Sequence, residues 1–312
     1  MRKFLCLLLL VALLPICPSA RGEGTLYARE NWLSPDQYYY GQLTSFQHQN
    51  AWEVNITNAL RYPNQRSASG RDYARQALAS MIKHDNPRIF WIDWIDSNGR
   101  LRYETGSNAT LAPLEIPGGK KLLYHQATFL NTIPLVVEEI RASLPANATE
   151  KDTLKAIHDW LCQNNSYNYA QTSDHKKEHD PVSFAFLAAH SAYSAIIPGD
   201  EYQPVCEGYA GAFKVLCDEF GIVCICVSGK TSFAAGHMWN YVRLSDGKWY
   251  LVDVTADDVE TKKTAYYHDY FLLTAKTSAK YRYTPNEYLN SGVNPANGYT
   301  EGKAFTFPAL CN

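Results

Sequence analysis

The chain lacks a strong net charge and, after its first residues, any long unbroken run of apolar side chains. Its 312 residues carry 29 lysines and arginines against 31 aspartates and glutamates, a formal net charge of -2. This near balance argues against a dedicated nucleic-acid binder and against a polybasic membrane surface. No internal run reaches the roughly 20 apolar residues of a membrane-spanning helix. We therefore expect no nucleic-acid partner and no stable membrane span.

Paired cysteines of the kind that hold zinc are also missing. None of the eight cysteines has the CxxC spacing, and no histidine pair accompanies them, which argues against a structural zinc site. The charged run at 174–180 contains two histidines, but a solvated surface loop is its preferred interpretation. There is no internal repeat and no low-complexity tract. The sequence therefore predicts no metal and no other cofactor.

Residues 1–22 have the pattern of a secretory signal peptide. A positive start, Met1-Arg2-Lys3, is followed by an apolar run and by small residues around Ala20 that suit cleavage. The apolar run is too short to span a bilayer, and a non-cleaved anchor is the alternative. We expect the mature protein to be secreted, in a periplasmic or extracellular location.

Two regions are predicted after this leader. Residues 23–145 form an N-terminal α+β region, in which helical patterns at 34–60 and 71–83 precede a hairpin pattern at 89–103. Residues 146–312 form the core with a C-terminal extension. Aromatic residues make up 13% of the chain, a surplus that suits a carbohydrate or peptide groove. We expect the N-terminal region to pack on the core and to shape a substrate cleft.

Cys206 is the first of three residues whose settings suit acyl chemistry. It lies in the block PVCEGYAGAFKVLCDEFGI, in which apolar residues recur with helical spacing and stop at Gly221. Cys206 is therefore expected at a helix N-terminus, where N–H groups stabilise a thiolate and can bind an oxyanion. A buried structural thiol is the usual alternative for a lone cysteine, and the two blocks described next reverse that preference.

The blocks GHMWNYVRL and GKWYLVDVTADD predict a β-hairpin. Strand patterns at 238–244 and 249–255 flank the turn signal Ser-Asp-Gly, and a further apolar segment at 222–228 predicts a buried strand. His237 begins the first strand of the hairpin, and Asp253 lies near the end of the second. Antiparallel pairing across so short a turn brings these two residues side by side.

A thiol, a base and a carboxylate with these settings indicate nucleophilic catalysis. The histidine activates the thiol, and the carboxylate holds the ring of the histidine. Of the nine histidines, only His237 lies at a strand start with a carboxylate placed to face it. Two neighbouring acids, Asp257 and Asp258, are interpreted as solvated loop charges.

The blocks resemble those of the transglutaminase core family, with VCEGYA, GHMWN and WYLVDVT in the family's order. The helical pattern at 150–165 and the SYNYA after it are similar to the helix that precedes the active site in that family. The resemblance runs over residues 150–260, and the tail segments YFLL and FTFPAL resemble those of bacterial secreted members. It implies an α+β, papain-like fold, in which the nucleophile helix packs on an antiparallel β-sheet.

The resemblance also implies a role for each of the three residues. Cys206 is the nucleophile, His237 is the general base and acid, and Asp253 orients the histidine. A tetrahedral oxyanion needs a second donor besides the Cys206 backbone N–H, and Tyr193 and Gln203 are the candidates.

Trp239 is a further candidate on the substrate side of the site. It follows His237 by two residues on the same predicted strand. It either screens the site from water or packs within the sheet, and packing is the preferred interpretation.

Three classes of function remain open at this stage. The first is an acyltransferase or cross-linker that acts on amide bonds of proteins or peptides through a cysteine thioester. The second is a cysteine peptidase or amidase that acts on peptides, with cell-envelope material as one candidate. The third is a binding protein that keeps the fold without catalysis, and the intact Cys206, His237 and Asp253 favour the first two.

Export makes the pairing of the remaining thiols relevant. Six cysteines follow the predicted leader: Cys162, Cys206, Cys217, Cys224, Cys226 and Cys311. If Cys206 stays a thiol, the other five cannot all form intramolecular pairs.

Overall fold

The computed structural model describes residues 84–88, 94–95, 101–102, 119–172, 184–197, 199, 202–260, 268–285 and 307–312. The predicted signal peptide, the helical patterns at 34–60 and 71–83, and the charged run at 174–180 lie outside the described residues. Within the described part of the chain, none of the helices combines the length and apolar character that crossing a membrane requires.

Two long helices lie between residues 119 and 164. Helix α1 spans Gly119–Ser143 and helix α2 spans Glu150–Asn164. Thr149 caps α2 as its pattern predicts, because its side chain accepts from the Asp152 N–H and the Asp152 carboxylate accepts from the Thr149 N–H. The apolar faces of both helices belong to the main core, with Phe129, Leu154 and Ile157 fully enclosed.

Five shorter α-helices follow among the described residues. They are α3 (Phe184–Ala189), α4 (Ala192–Ile196), α5 (Cys206–Glu219), α6 (Val254–Glu260) and α7 (Ala275–Ser278). Helix α5 ends where its sequence predicts, since Gly221 takes the left-handed conformation (φ +72) that glycine adopts without strain. Residues 84–88 pack on this helix through Pro87 against Gly211 and through the Arg88–Glu219 ion pair at 2.7 Å.

The strands of the described residues form two antiparallel sheets. The short strands β1 (Trp94–Ile95) and β2 (Leu101–Arg102) pair with each other, as the hairpin pattern at 89–103 predicts. The larger sheet contains β3 (Val223–Lys230), β4 (His237–Arg243), β5 (Trp249–Val252) and β6 (Thr284–Pro285). Its strand order is β5-β4-β3-β6, and each neighbouring pair is antiparallel.

The larger sheet separates two apolar layers. On one face, Cys224, Met238 and Val242 point toward α5, and the Asn240 side chain donates to the Ala210 carbonyl at 3.0 Å. On the other face, the C-terminal segments cover a second cluster of side chains: Ile225, Val227, Trp239, Tyr241, Leu251, Tyr270, Leu273 and Leu310. The α+β fold class, with the nucleophile helix packed on an antiparallel sheet, is therefore confirmed.

The strand predicted at 249–255 is shorter in the structure. It ends at Val252, and α6 begins at Val254. The cause is Asp253, whose Oδ1 accepts the Ala256 N–H at 3.1 Å and thereby caps the first turn of α6. Asp253 thus lies at a strand-to-helix junction, where the backbone fixes its direction.

Candidate active site

Cys206 is the first residue of α5, as the sequence predicts. The chain enters the helix in an extended conformation, and the Val205 N–H donates to the Ala189 carbonyl at 3.0 Å. The first turn of the helix packs closely against the Ala189 carbonyl. A Cβ at Gly208 would lie only 2.7 Å from that oxygen, so a larger residue does not fit there. The N–H groups of the first turn have no acceptor within the helix, so they are available to an anion at this end.

His237 and Asp253 form the contact that the hairpin pattern predicts. The His237 Nε2–H donates to the Asp253 Oδ2 at 2.6 Å, and both side chains are at least nine-tenths buried. Cys206 lies close enough to His237 to contribute, after burial and Asp253, to the shift in the pKa of the ring. Because Asp253 engages Nε2, Nδ1 is the ring nitrogen that remains for another partner. The structure therefore places His237 in contact with Asp253 and near Cys206.

The Asp253 carboxylate has a second donor on the same oxygen that His237 uses. The hydroxyl of Tyr283, which directly precedes the edge strand β6, donates to Oδ2 at 2.6 Å. Burial, and next the charge of Asp253, raises the pKa of Tyr283 far above its ordinary value, so the hydroxyl keeps its proton and serves as a donor. With the Ala256 N–H on Oδ1, three donors hold this carboxylate in place.

These surroundings change the proton affinity of His237. Burial by itself disfavours the charged ring, but the carboxylate of Asp253 outweighs burial and raises the pKa of His237 to about 10. The contact with Cys206 acts in the same direction. The site therefore favours a protonated imidazole beside the cysteine, which is the charge state that an ion pair with a thiolate requires.

An aromatic wall surrounds the base. The Trp239 ring lies nearly parallel to the His237 ring, with centroids 6.1 Å apart. It packs edge-to-face with the Tyr283 ring, and the centroids of that pair are 4.9 Å apart. Only 1% of Trp239 is exposed, which agrees with its preferred interpretation as a packed residue of the sheet. Phe233 contacts the His237 ring edge-on at 5.4 Å and is 49% exposed. The wall thus runs from the sheet interior to the surface beside His237.

The two candidates for a second oxyanion donor are engaged in other contacts. Tyr193 is buried in α4, and its hydroxyl contacts His125 Nδ1 of α1 at 2.5 Å. The Gln203 Oε1 accepts the Ser166 backbone N–H at 2.8 Å, so the NH₂ end of this amide is the end that could donate. Gln203 also lies three residues before Cys206, which keeps it as the better candidate of the two.

Glu207 adds a charge directly beside the nucleophile. Its Oε2 lies 3.2 Å from His190 Nδ1, and the other nitrogen of His190 contacts the Gln171 carbonyl at 2.9 Å. The ring of Phe186 stacks on His190 at 4.0 Å. Glu207 is thus held on the side of α5 that faces residues 169–190.

The interpretation of Asp257 and Asp258 as solvated loop charges is wrong. Both lie in α6, and Asp257 is 1% exposed, with Oδ2 at 3.0 Å from the Nε2 of His158. Asp258 accepts a hydrogen bond from the buried Tyr209 hydroxyl. The helix that contains them starts immediately after Asp253 and directs their side chains toward the core. The polar residues of this segment therefore do not indicate a surface loop.

Tyr283 was also missed. It lies 30 residues beyond Asp253 in a segment with no strong periodic pattern. The nearest signal is the aromatic cluster Tyr270, Tyr281 and Tyr283, whose rings contact one another or Phe233.

The remaining thiols are packed in the core. Cys162, Cys217, Cys224 and Cys226 are buried, Cys311 is half-buried, and none of them is in a disulfide within the described residues. Burial raises the pKa of the Cys162, Cys224 and Cys226 thiols well above the usual range. These three cysteines are therefore poor nucleophiles.

Comparison with known proteins places this geometry in context. Residues 138–254 match the transglutaminase-like superfamily. The kyphoscoliosis peptidases of Homo sapiens and Mus musculus are 28% and 26% identical over 145 residues, which cover 40% of this chain and 19% of each relative. The chain thus spans about a fifth of the length of these relatives.

Among solved structures, a crystal structure of a TGase aligns with a TM-score of 0.35 at 15% identity. The alignment covers 51% of this chain and 39% of the other. The family match spans Cys206, His237 and Asp253, and it supports the presence of a transglutaminase-like superfamily domain in this chain.

Proposed function

We propose that this protein is an exported cysteine enzyme that acts on amide bonds of proteins or peptides through a thioester on Cys206. The observation that carries the proposal is His237, which lies near Cys206 and donates to the buried Asp253 at 2.6 Å. A base held between a nucleophile and a carboxylate is the arrangement that activates a thiol. Export is supported by the leader pattern of residues 1–22.

The first half of the reaction uses both partners of His237. In the ion pair the His237 ring already holds the proton that the thiol gave up, and the Cys206 thiolate attacks the amide carbonyl carbon to give a tetrahedral oxyanion. His237 then gives its proton to the amide nitrogen, the C–N bond breaks, and the amine leaves. The acyl group remains on Cys206 as a thioester. Asp253 stabilises the charged ring between these two proton transfers.

The oxyanion forms at the start of α5. The backbone N–H of Cys206 is one donor, because it is among the N–H groups without an acceptor inside the helix. The NH₂ group of Gln203 is the proposed second donor, since the Ser166 N–H already fixes which end of its amide is the acceptor. We expect Gln203→Ala to lower kcat about 10²-fold, in the range of other oxyanion donors.

Two outcomes of the thioester lead to different products. Water gives hydrolysis and a new carboxyl group, whereas a primary amine gives transfer. The relatives that match over 145 residues are named peptidases, and this favours hydrolysis as the second candidate beside acyl transfer. A biotin-tagged primary amine with unfolded casein separates the two, because transfer labels the casein and peptide hydrolysis creates new amino termini.

The test that needs no substrate is alkylation by iodoacetamide at mildly acidic pH, read by mass spectrometry at each cysteine. We expect Cys206 to react much faster than Cys311, a half-buried thiol of the same chain that serves as the internal control. His237→Ala should remove the difference. Equal rates for the two thiols in the parent protein would contradict an activated cysteine and favour the binding protein.

A further inference from the structure

A second cluster of histidines and carboxylates lies between α2, α6 and the segment that starts at residue 268. The Asp159 Oδ1 lies 3.0 Å from His158 Nδ1 and 2.6 Å from His268 Nε2. All three atoms lie within 4.8 Å of one another. The two imidazole nitrogens and one carboxylate oxygen therefore converge on one point, although the residues come from places 109 positions apart in the chain.

His158 and Asp159 each have a further hydrogen-bond partner that fixes the orientation of the side chain. The other ring nitrogen of His158, Nε2, contacts the Asp257 carboxylate at 3.0 Å, and both side chains are at most 1% exposed. The other oxygen of Asp159, Oδ2, accepts from Lys155 at 2.5 Å. A carboxylate behind a histidine is the support that metal-bound histidines ordinarily have, since it fixes the ring and makes the facing nitrogen a better ligand.

One ligand of the cluster is buried, and the other two are partly exposed to solvent. His158 is fully buried, and Phe271 meets its ring edge-on at 5.4 Å. Asp159 and His268 are 19% and 27% exposed, so an ion can reach them from solvent. The buried ligand with its carboxylate would form the floor of a site, and the two exposed ligands would form its rim.

We propose that His158 Nδ1, Asp159 Oδ1 and His268 Nε2 bind a divalent transition-metal ion, with Zn²⁺ as the best match. Two imidazoles and one carboxylate suit zinc and its neighbours, whereas Mg²⁺ and Ca²⁺ prefer an all-oxygen set. Zinc takes ligands at about 2.0–2.2 Å, which needs only small shifts of the rim side chains. Three protein ligands leave a fourth position for water or another group.

The expectation of no metal rests on the absence of paired cysteines and short ligand spacings from the sequence. The cluster uses neither, since His158 and Asp159 are adjacent and the third ligand comes from a remote segment. The second carboxylate, Asp257, was interpreted as a surface charge. Only the fold brings these four side chains together.

The test measures Co²⁺ and Zn²⁺ binding to the purified chain after treatment with a chelator. Cys206→Ala serves as the parent, because it removes the reactive thiol that could bind metal beside His237. Co²⁺ reports the site through its visible absorption, and Zn²⁺ competes with it. We expect saturable binding of one ion per chain and a rise in Tm with added Zn²⁺.

Three variants and a matched control locate the site. Asp159→Asn and His268→Gln each remove one ligand at the partly exposed rim and should abolish the Co²⁺ spectrum. Asp257→Asn should weaken binding 10–100-fold, as is typical of partners behind a metal ligand. His190→Gln is the control, because His190 is similarly exposed and also contacts a carboxylate, Glu207.

Two results would overturn the proposal: no saturable binding by the parent, or unchanged binding in both Asp159→Asn and His268→Gln. In either case the cluster is a network of hydrogen bonds and ion pairs alone. Thermal unfolding without metal shows whether each variant folds. The Cys206→Ala background has no nucleophile, so the result is independent of the proposed catalytic function.

Discussion

At the scale of single residues, Tyr283 makes a contact with Asp253 that the sequence does not indicate. Its hydroxyl donates to the same oxygen of Asp253 that receives the His237 Nε2–H. We expect Tyr283→Phe to lower kcat about tenfold or more, because a hydrogen bond to a charged group contributes about 1.5–3 kcal/mol. The measurement is steady-state amide turnover, with the free energy of unfolding determined in parallel.

Tyr281→Phe is the matched control for this change. It removes a hydroxyl two residues earlier, from a ring that packs on Tyr270 at 4.3 Å. We expect its turnover to stay within a factor of two of the parent. If Tyr281→Phe and Tyr283→Phe lost activity equally, the effect would come from the aromatic cluster and not from the bond to Asp253.

The raised pKa of His237 predicts how stability depends on pH. The pKa is about 10 in the folded protein, against 6.5 for an unperturbed histidine. Because the folded value is the higher one, the stabilisation is fully present below about pH 6.5 and is lost as the pH rises through about 10. The free-energy advantage of the parent over His237→Gln should therefore shrink across this window.

Urea unfolding of both proteins at several pH values measures this advantage. Carrying out the series in the Cys206→Ala background removes the titration of the neighbouring thiol. An advantage that stays constant from neutral to alkaline pH would show that the Asp253 carboxylate does not hold a proton on the ring. Asp253→Asn should flatten the pH dependence in the same way as His237→Gln.

At the scale of the elements, strand β6 is held against β3 by a close approach at Gly229. A Cβ at this position would lie 2.1 Å from the Thr284 carbonyl oxygen and 2.7 Å from the Trp239 ring. We expect Gly229→Ala to push β6 away, to cost about 1–3 kcal/mol of stability, and to lower turnover, because Tyr283 moves with the strand. Urea unfolding and turnover provide the two readouts.

Gly236→Ala is the control for Gly229→Ala. No atom lies within 4 Å of the Cβ that it would add, although Gly236 directly precedes His237. We expect this variant to keep both the stability and the turnover of the parent. A loss of turnover in Gly236→Ala equal to that in Gly229→Ala would argue against a role for β6 in holding Tyr283.

The elements that could be predicted from the sequence are those with strong local patterns. The helix that starts at Cys206 follows from its apolar spacing and its glycine stop, and the hairpin follows from alternation around Ser-Asp-Gly. Together these patterns are sufficient to place His237 beside Asp253. The end of β5 could not be predicted, because Val254 and Thr255 favour a strand and only the capping by Asp253 starts α6.

The parts of the site that could not be predicted depend on pairs far apart in sequence. Tyr283 reaches Asp253 across 30 residues, and His158 reaches Asp257 across 99. The sequence does not show whether the hydrogen bonds of a polar side chain are made to solvent or to a remote residue of the chain. Asp257 was therefore assigned to the surface, although the fold buries it against a histidine.

At the scale of the whole molecule, one buried ion pair lies in the nucleophile helix beneath the sheet. Lys214 is fully buried, and its Nζ contacts Asp218 Oδ2 at 2.9 Å. Burial lowers its proton affinity, but the charge of Asp218, together with those of Asp85 and the neighbouring Cys224 and Cys226, outweighs burial and raises the pKa of Lys214. We expect Asp218→Asn to destabilise the protein by about 3–5 kcal/mol, because it leaves a buried charge without its partner.

The double variant Lys214→Met/Asp218→Leu tests this explanation by urea unfolding. It removes both charges and keeps a comparable volume, so we expect stability close to that of the parent. A double variant as unstable as Asp218→Asn would show that the pair is needed for packing and not for charge balance.

The position of Tyr283 in the chain also has a consequence for biosynthesis. The thiol, the base and the carboxylate are all translated before this hydroxyl, and domains generally fold from their N-terminal side during synthesis. A nascent or prematurely terminated chain thus holds Cys206 and His237 without the residue that completes the setting of Asp253. If Cys206 is activated as proposed, full thiol reactivity therefore waits for the segment that carries Tyr283, wherever the chain folds.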